Sequence, residues 1–260
     1  MKLKVGVPFA KHGRITDATL KSLGELQKHP DLDVVIVAQQ GSNVTRARNA
    51  MINGERSALK SQKLEGFDWF LSVDADTGFT VDHVKRLLSH DKDIVSGAYL
   101  HKRDADRLVA GWFGGEPGLA PMDKRVGTDR TGLFEVDWTG AGFLLIRREV
   151  FERVPYPWFT SGEVEFDSPE GRCAQVMSDD LGLCKKLAKH GETIWLDADC
   201  RVDHVPHPNE GNLAGSLQDA LNDLLRNRET IIRHIKGLSD ENRKLKTALA
   251  SEAGNARVKN

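Results

Sequence analysis

Two hydrophobic rhythms take turns along residues 2–204. Residues 2–8 (KLKVGVP) alternate with the period of a half-buried strand, stopped by Pro8 and the polar Lys11-His12-Gly13-Arg14. Leu20, Leu23 and Leu26 recur at helical spacing behind Thr16 or Asp17 as a cap, and the pattern ends near His29-Pro30. Val34-Val35-Ile36-Val37 is continuously apolar, the texture of a parallel strand buried on both faces. Gln39 to Asn43 form its exit loop, a helix is predicted over 44–64, and 67–73 reads as a third strand. This β-α-β-α-β order sends every strand end, with its polar residues, to one edge of a sheet. Open α/β sheets bind ligands at that edge.

The alternation continues downstream. Thr80 caps a predicted helix over 81–88, and 94–97 forms a strand. Residues 99–137 are rich in glycine, with short β-like pieces at 108–113 and 133–136, and read as hairpins and loops facing an acceptor. Asp137-Trp138-Thr139-Gly140-Ala141-Gly142 leads into the apolar strand Phe143-Leu144-Leu145-Ile146, and a short helix follows through Phe151. Residues 156–176 are loop-like. Ser178-Asp179-Asp180 opens an amphipathic helix that His190-Gly191 stops, and one more strand, 193–196, runs on towards His204.

The chain divides into an α/β domain, 1–210, and a helical tail, 211–260. In the tail, Leu217, Leu224, Ile231, Leu238 and Leu245 form one heptad row, and Leu221, Arg228, Ile235, Asn242 and Leu249 the other. Such a seam predicts a coiled coil and a homo-oligomer, with Asn242 setting register; the alternative is a helix folded back on its own domain.

Charge narrows the partners. Lys+Arg (37) and Asp+Glu (38) nearly cancel, so no overall basic field points to nucleic acid or anionic membrane. A local groove lined by His101-Lys102-Arg103, Lys124-Arg125 and Arg147-Arg148 would still accept DNA. Cys173, Cys184 and Cys200 suggest neither a disulfide framework nor a zinc site. With no run of about 18 apolar residues and no signal-peptide pattern, the expectation is a soluble, cytoplasmic chain without a membrane span.

Chemistry concentrates at Asp74 and Asp76. At i and i+2 of an extended segment their carboxylates share a side, roughly 6–7 Å apart at Cα, and call for a cation or protons. A hard divalent ion shared with phosphate oxygens suits them; a plain Asp-rich turn is the alternative. Asp179 and Asp180 stand at a helix start, where the dipole favours a carboxylate and a general base could face a pocket, or where Ser178 or Asp179 merely caps. His204 follows a strand and could complete a metal site. Gly140-Ala141-Gly142 suits close approach of backbone to a ligand. Trp112, Trp138 and Trp158 fall in loops, where a ring face stacks on a sugar or simply packs. Arg46 and Arg48 are candidates for phosphate oxygens or plain surface charges.

These pieces together resemble a GT-A-fold glycosyltransferase, most closely glycosyltransferase family 2 and its small soluble relatives. The resemblance rests on the VGVPFA strand, TRARN (residues 45–49), VDAD (73–76) as the DxD motif, DWTGAGFLLIRREVF (137–151), SDDLGLCKKLAKHG (178–191) and His204, and it covers about residues 3–206. It implies a Rossmann-like, mostly parallel sheet flanked by helices. It further implies transfer of a sugar, as from a UDP-sugar, to an acceptor hydroxyl with inversion, using Mn²⁺ or Mg²⁺. By the same resemblance Pro8, Phe9 and Gln39 border the nucleobase and ribose, and Arg48 lies close to the nucleotide. Asp74 contacts ribose or the metal shell, and Asp76 and His204 hold the ion. Asp180 is the base, with Asp179 standing where the family has Glu. By residue type, Trp138, Gly140, Ala141 and Gly142 are expected to face the acceptor. The acceptor is left open among a glycan, a small polar molecule and a modified DNA base. Two other classes remain: a haloacid-dehalogenase-type phosphatase with Asp74 as nucleophile, and a non-catalytic nucleotide-sugar or glycan-binding scaffold.

Overall fold

Leu3, Val5 and Val7 are fully buried along one side of the first strand, β1 (Lys2–Phe9), which is the alternation the sequence displays. We describe the chain from a computed structural model covering residues 1–9, 14–41, 43–54, 63–101, 104–114, 124–168 and 171–204; the predicted tail and its heptads lie outside the described residues. After β1 come α1 (Asp17–Gln27), β2 (Asp33–Gln40), α2 (Val44–Asn53), β3 (Trp69–Val73), β4 (Thr77–Gly78) and α3 (Val81–Ser89). The middle of the chain supplies β5 (Ile94–Ala98), β6 (Leu100–His101), β7 (Asp104–Gly111), β8 (Arg125–Gly127), β9 (Leu133–Val136), β10 (Trp138–Thr139), β11 (Phe143–Arg147) and α4 (Arg148–Arg153). The last stretch holds β12 (Gly162–Ser168), β13 (Gly171–Met177), α5 (Asp179–Lys189), β14 (Ile194–Arg201) and β15 (Asp203–His204).

A seven-stranded sheet in the order β2-β1-β3-β11-β5-β14-β9 forms the centre. β2, β1 and β3 run parallel, as do β5 and β14, while β11 is antiparallel to β3 and β5, and β9 to β14. This is the mostly parallel α/β arrangement expected, with apolar clusters on both faces. On one face Phe70, Ile94, Leu144, Ile146 and Leu196 pack with Met51 and Ile52 of α2, Val150 and Phe151 of α4, and Leu183, Cys184 and Leu187 of α5. On the other, Leu3, Val5, Leu71, Val95 and Leu145 pack with Leu23 and Leu26 of α1 and Val84 and Leu87 of α3. Each fully buried aliphatic or aromatic side chain contributes about 1.5–3 kcal/mol.

Caps follow local chemistry. Thr16 accepts from the Thr19 N–H, Asn43 from the Arg46 N–H, and Thr80 shares a reciprocal capping box with His83.

Three expectations change. The helix predicted over 44–64 ends at Asn53, because Gly54 takes a left-handed conformation (φ 80°) and donates its N–H to the Ala50 carbonyl. Residues 55–62 lie outside the described set. β2, expected to be buried on both faces, is the sheet's edge, and Val35 is 39% exposed. Its apolar run reflects β-branched strand preference as much as burial. Finally, the loop-like 156–176 contains an antiparallel hairpin, β12–β13, paired from Gly162↔Met177 to Ser168↔Gly171. Glu163-Val164-Glu165-Phe166-Asp167 in fact alternates polar and apolar, the period-2 mark of a strand that a loop-like reading passes over.

Candidate active site at the carboxyl edge of the sheet

β1, β2 and β3 deliver Pro8 and Phe9, Gln39, and Asp74 to one edge, with Pro8 paired to Gln39. β5 ends there before Tyr99, and antiparallel β11 begins there after Gly142, because Phe143 pairs with Val73. Phe9 and Gln39 are half-buried and Pro8 is buried.

Asp74 and Asp76 are not on an extended segment. The Thr77 N–H bonds to the Asp74 carbonyl (3.1 Å), closing a turn, and the Ala75 carbonyl accepts from Thr16 N–H (2.8 Å) and Thr19 Oγ1 (3.1 Å). The turn sends the two carboxylates to different partners instead of to one shared side. Asp74 accepts from Arg48 Nη2 at 2.7 Å. Asp76, buried, lies 3.4 Å through Oδ1 from His204 Nε2. The short ladder between β4 and β15 causes this second meeting, because His204 pairs with Thr77, next to Asp76.

His204 is oriented from behind. Its Nδ1 is 3.1 Å from the Leu100 carbonyl, which can only accept, so Nδ1 carries a proton and Nε2 faces Asp76. The Tyr99 ring and the imidazole stand T-shaped to one another, 73° between planes and 5.3 Å between centroids.

Arg48 joins the turn to the start of α5. Its guanidinium donates to Asp74 and, through Nη1 at 2.8 Å, to Asp179. Arg48 and Asp179 are both buried (5% and 7% exposed), so Arg48 is neither a surface charge nor an open phosphate ligand. Burial disfavours the cation, but the charges of Asp74, Asp179 and Asp180 outweigh it and hold the guanidinium protonated. Asn49 fixes α2 in place: its amide donates to the Phe159 carbonyl (2.8 Å), and its oxygen accepts from the N–H groups of Trp158 (2.9 Å) and Phe159 (3.1 Å). Arg46 is exposed.

Asp180 differs from its neighbour. Burial first, then the charges of Asp179 and Asp74, push its carboxyl above the usual aspartate value, against the pull of Arg48 and the Ser178 hydroxyl. Its Oδ1 accepts from that hydroxyl and from the Leu181 N–H (2.9 Å), in the first turn of α5. Ser178 therefore orients Asp180 and makes no side-chain cap of its own. Glycine at 182 lets α5 lie against the Thr160 backbone, which a β-carbon there would strike.

Several expected members move out of the site. Trp138 is 4% exposed and Trp158 1%; both lie in the apolar core, so neither ring face meets an acceptor. Trp112 stacks on Phe134 (6.3 Å). Gly140, Ala141 and Gly142 are also buried, and a β-carbon at Gly140 or Gly142 would collide with the Tyr99 hydroxyl. Close approach to an internal side chain thus explains these glycines. Arg147 pairs with Asp91 (2.6 Å) and Asp93 (2.8 Å), and Arg148 with Glu149 (2.8 Å), at the far end of β11. They line no groove with the site, and Lys102 and Arg103 lie outside the described residues.

Tyr99 and Asn49 are given no role of their own by the sequence, and Ser178 only that of a cap, a bond its side chain does not make. Tyr99 alone carried a signal, an aromatic with a polar tip just past an apolar strand.

Among the described residues no group of three His, Cys, Asp or Glu side chains is placed to enclose a metal, so Asp74, Asp76 and His204 do not form one set. Asp76 and His204 remain as a pair. Two adjacent ligands of an octahedral ion with bonds of about 2.1 Å lie about 3 Å apart. The 3.4 Å separation of Asp76 Oδ1 and His204 Nε2 fits such an ion when other oxygens complete its shell. The buried Asp179 Oδ2 and Arg48 Nε have no hydrogen-bond partner among the described residues.

Fold and site together define an α/β protein with acidic residues and a histidine gathered at the carboxyl edge of its sheet. No protein-family model and no curated protein matches the chain. Among solved structures it is similar to A197 from STIV, with 16% identity and TM-score 0.44 over 80% of this chain and 97% of that one. It is similar also to GalNAc-T7, crystallised with UDP, GalNAc and Mn²⁺, with 14% identity and TM-score 0.45 over 80% and 44%. A third is S. aureus TarS 1–349, with 13% identity and TM-score 0.43 over 79% and 60%. The chain therefore spans less than two thirds of the second and third of these.

Proposed function

We propose that this chain is a metal-dependent glycosyltransferase that moves a sugar from a nucleoside diphosphate-sugar, a UDP-sugar by sequence resemblance, to an acceptor hydroxyl with inversion. The observation that carries the reading is the meeting of Asp76 with His204, beside a turn that Arg48 ties to the helix start bearing Asp180.

Asp76 and His204 would hold Mn²⁺ or Mg²⁺; a carboxylate with one imidazole favours Mn²⁺. When bound, that ion supplies positive charge opposite the leaving diphosphate. The chain's own residues do the rest. Pro8, Phe9 and Gln39 border the base and ribose at the ends of β1 and β2. Arg48 keeps Asp74 turned towards α5, where Asp74 is the more accessible of the two DxD acids. Asp180 takes the proton of the attacking hydroxyl, and its raised affinity for a proton makes it a better base at neutral pH than a solvated aspartate. Ser178 and Leu181 engage Oδ1, which leaves Oδ2 to receive that proton. A phosphatase would need Asp74 as a nucleophile, and the guanidinium of Arg48 already engages it.

The test is a panel of nucleoside diphosphate-sugars with Mn²⁺, reading release of the nucleoside diphosphate, followed by an acceptor screen. Asp76→Asn and His204→Ala are expected to lose Mn²⁺-dependent nucleotide binding. Asp180→Asn keeps binding and loses transfer by about 10²–10⁴-fold. A wild-type chain that neither binds any nucleotide with Mn²⁺ nor turns over any donor refutes the reading.

A further inference from the structure

Tyr99 is buried between the Gly140–Gly142 turn and His204 and takes no part in the proposed chemistry. Its hydroxyl accepts the Gly142 N–H (3.0 Å), and the Gly142 carbonyl in turn accepts the Asp74 N–H (3.0 Å). A β-carbon on Gly142 would lie 2.8 Å from that hydroxyl and 3.0 Å from Asp74 Oδ2, so phenol and carboxylate approach each other across the glycine. The Tyr99 ring makes a T-shaped contact with His204, and the next carbonyl along the chain, that of Leu100, fixes His204 Nδ1.

We propose that Tyr99 is the positioning residue of the site, with its two ends doing separable jobs. The hydroxyl pins the Gly140–Gly142 turn and through it the backbone of Asp74. The ring, in T-shaped contact, seats the His204 imidazole opposite Asp76. This rests on the glycosyltransferase reading for its catalytic consequence, but not for its geometry. Phenylalanine at 99 keeps the ring and removes the hydroxyl, whereas leucine removes both.

The experiment uses the full chain with Tyr99→Phe and Tyr99→Leu, each checked for a folded state by circular dichroism. Supporting partners of metal ligands and reacting groups change affinity or activity by about 10–100-fold. Tyr99→Phe is expected to keep Mn²⁺ affinity within about twofold of wild type, speed amide exchange at Gly142 and lower kcat for transfer about tenfold. Tyr99→Leu is expected to weaken Mn²⁺ about tenfold as well and to move the His204 imidazole resonance. A purely structural role would lower thermal stability in both without this split. Equal effects of the two variants on Mn²⁺ and on the His204 resonance overturn the proposal, as does unchanged Gly142 exchange in Tyr99→Phe. If the wild type binds no Mn²⁺ and transfers nothing, the glycosyltransferase reading falls, and Gly142 exchange and the His204 resonance still decide for or against Tyr99.

Discussion

Replacing Arg48 by methionine tests the electrostatic account of the site most directly. Methionine fills much of the volume and cannot donate, so Asp74 and Asp179 each lose their short bond to the guanidinium. The Asp179 side chain is 9% exposed and that of Asp74 29%, so solvent replaces little of the lost bonding at Asp179 and part of it at Asp74. Breaking a buried ion pair from one side costs about 3–5 kcal/mol, mostly through the charge left behind. For a domain of this size that lowers Tm by roughly 6–20 °C, a large share of an ordinary stability of about 5–15 kcal/mol. The assay is urea unfolding followed by tryptophan fluorescence, Trp158 and Trp138 being buried reporters. Arg48→Met, Asp179→Asn and the double variant make the cycle. Because Asp179→Asn removes one of the stranded charges, the double variant is expected to lose less than the sum of the singles, with a coupling of about 1–3 kcal/mol. Additivity within about 0.5 kcal/mol, or a loss under about 1 kcal/mol in Arg48→Met, would refute the bridge.

Asp180→Asn should raise stability at neutral pH while lowering transfer by about 10²–10⁴-fold: a carboxyl whose folded-state pKa is raised costs stability that builds as pH climbs from 3.8 through the raised value, and the amide avoids the cost. For the same reason the acid limb of kcat/KM should fall above 3.8, the ordinary aspartate value; a limb at or below 3.8 excludes Asp180 as the base. Asp197 is fully buried and accepts from Arg86 (2.5 and 3.0 Å) and from the backbone N–H groups of Asp199 and Cys200, with His90 Nε2 at 2.6 Å. Burial raises its pKa, but the bonds to Arg86 and His90 and to backbone overcome this, and the folded value is lowered. Its contribution is present above 3.8 and disappears as pH falls through the lowered value, so Asp197→Asn should cost about 3 kcal/mol near neutrality and flatten the acid limb of unfolding. Gly182→Ala should cost about 1–3 kcal/mol in urea unfolding and reduce turnover, because the new methyl group meets the Thr160 backbone and shifts the turn carrying Asp180.

The sequence alone determined the alternation of strands and helices, the cap at Thr80, and the arrival of Asp74, Asp76 and His204 at one sheet edge. These are local or topological facts: hydrophobic period, capping chemistry, and the rule that parallel strands end together. Only the tertiary structure decided how those residues pair. The turn bond from Thr77 to Asp74 separates two carboxylates that an extended reading places side by side, and a two-residue ladder, distant in sequence, brings His204 to Asp76. Arg48, Trp138 and the glycines at 140 and 142 could equally have faced solvent, since each residue type serves either role. What settled them was contact across long stretches of chain, with Asp179, with the apolar core and with Tyr99, and no local pattern encodes the partner at the other end of such a contact.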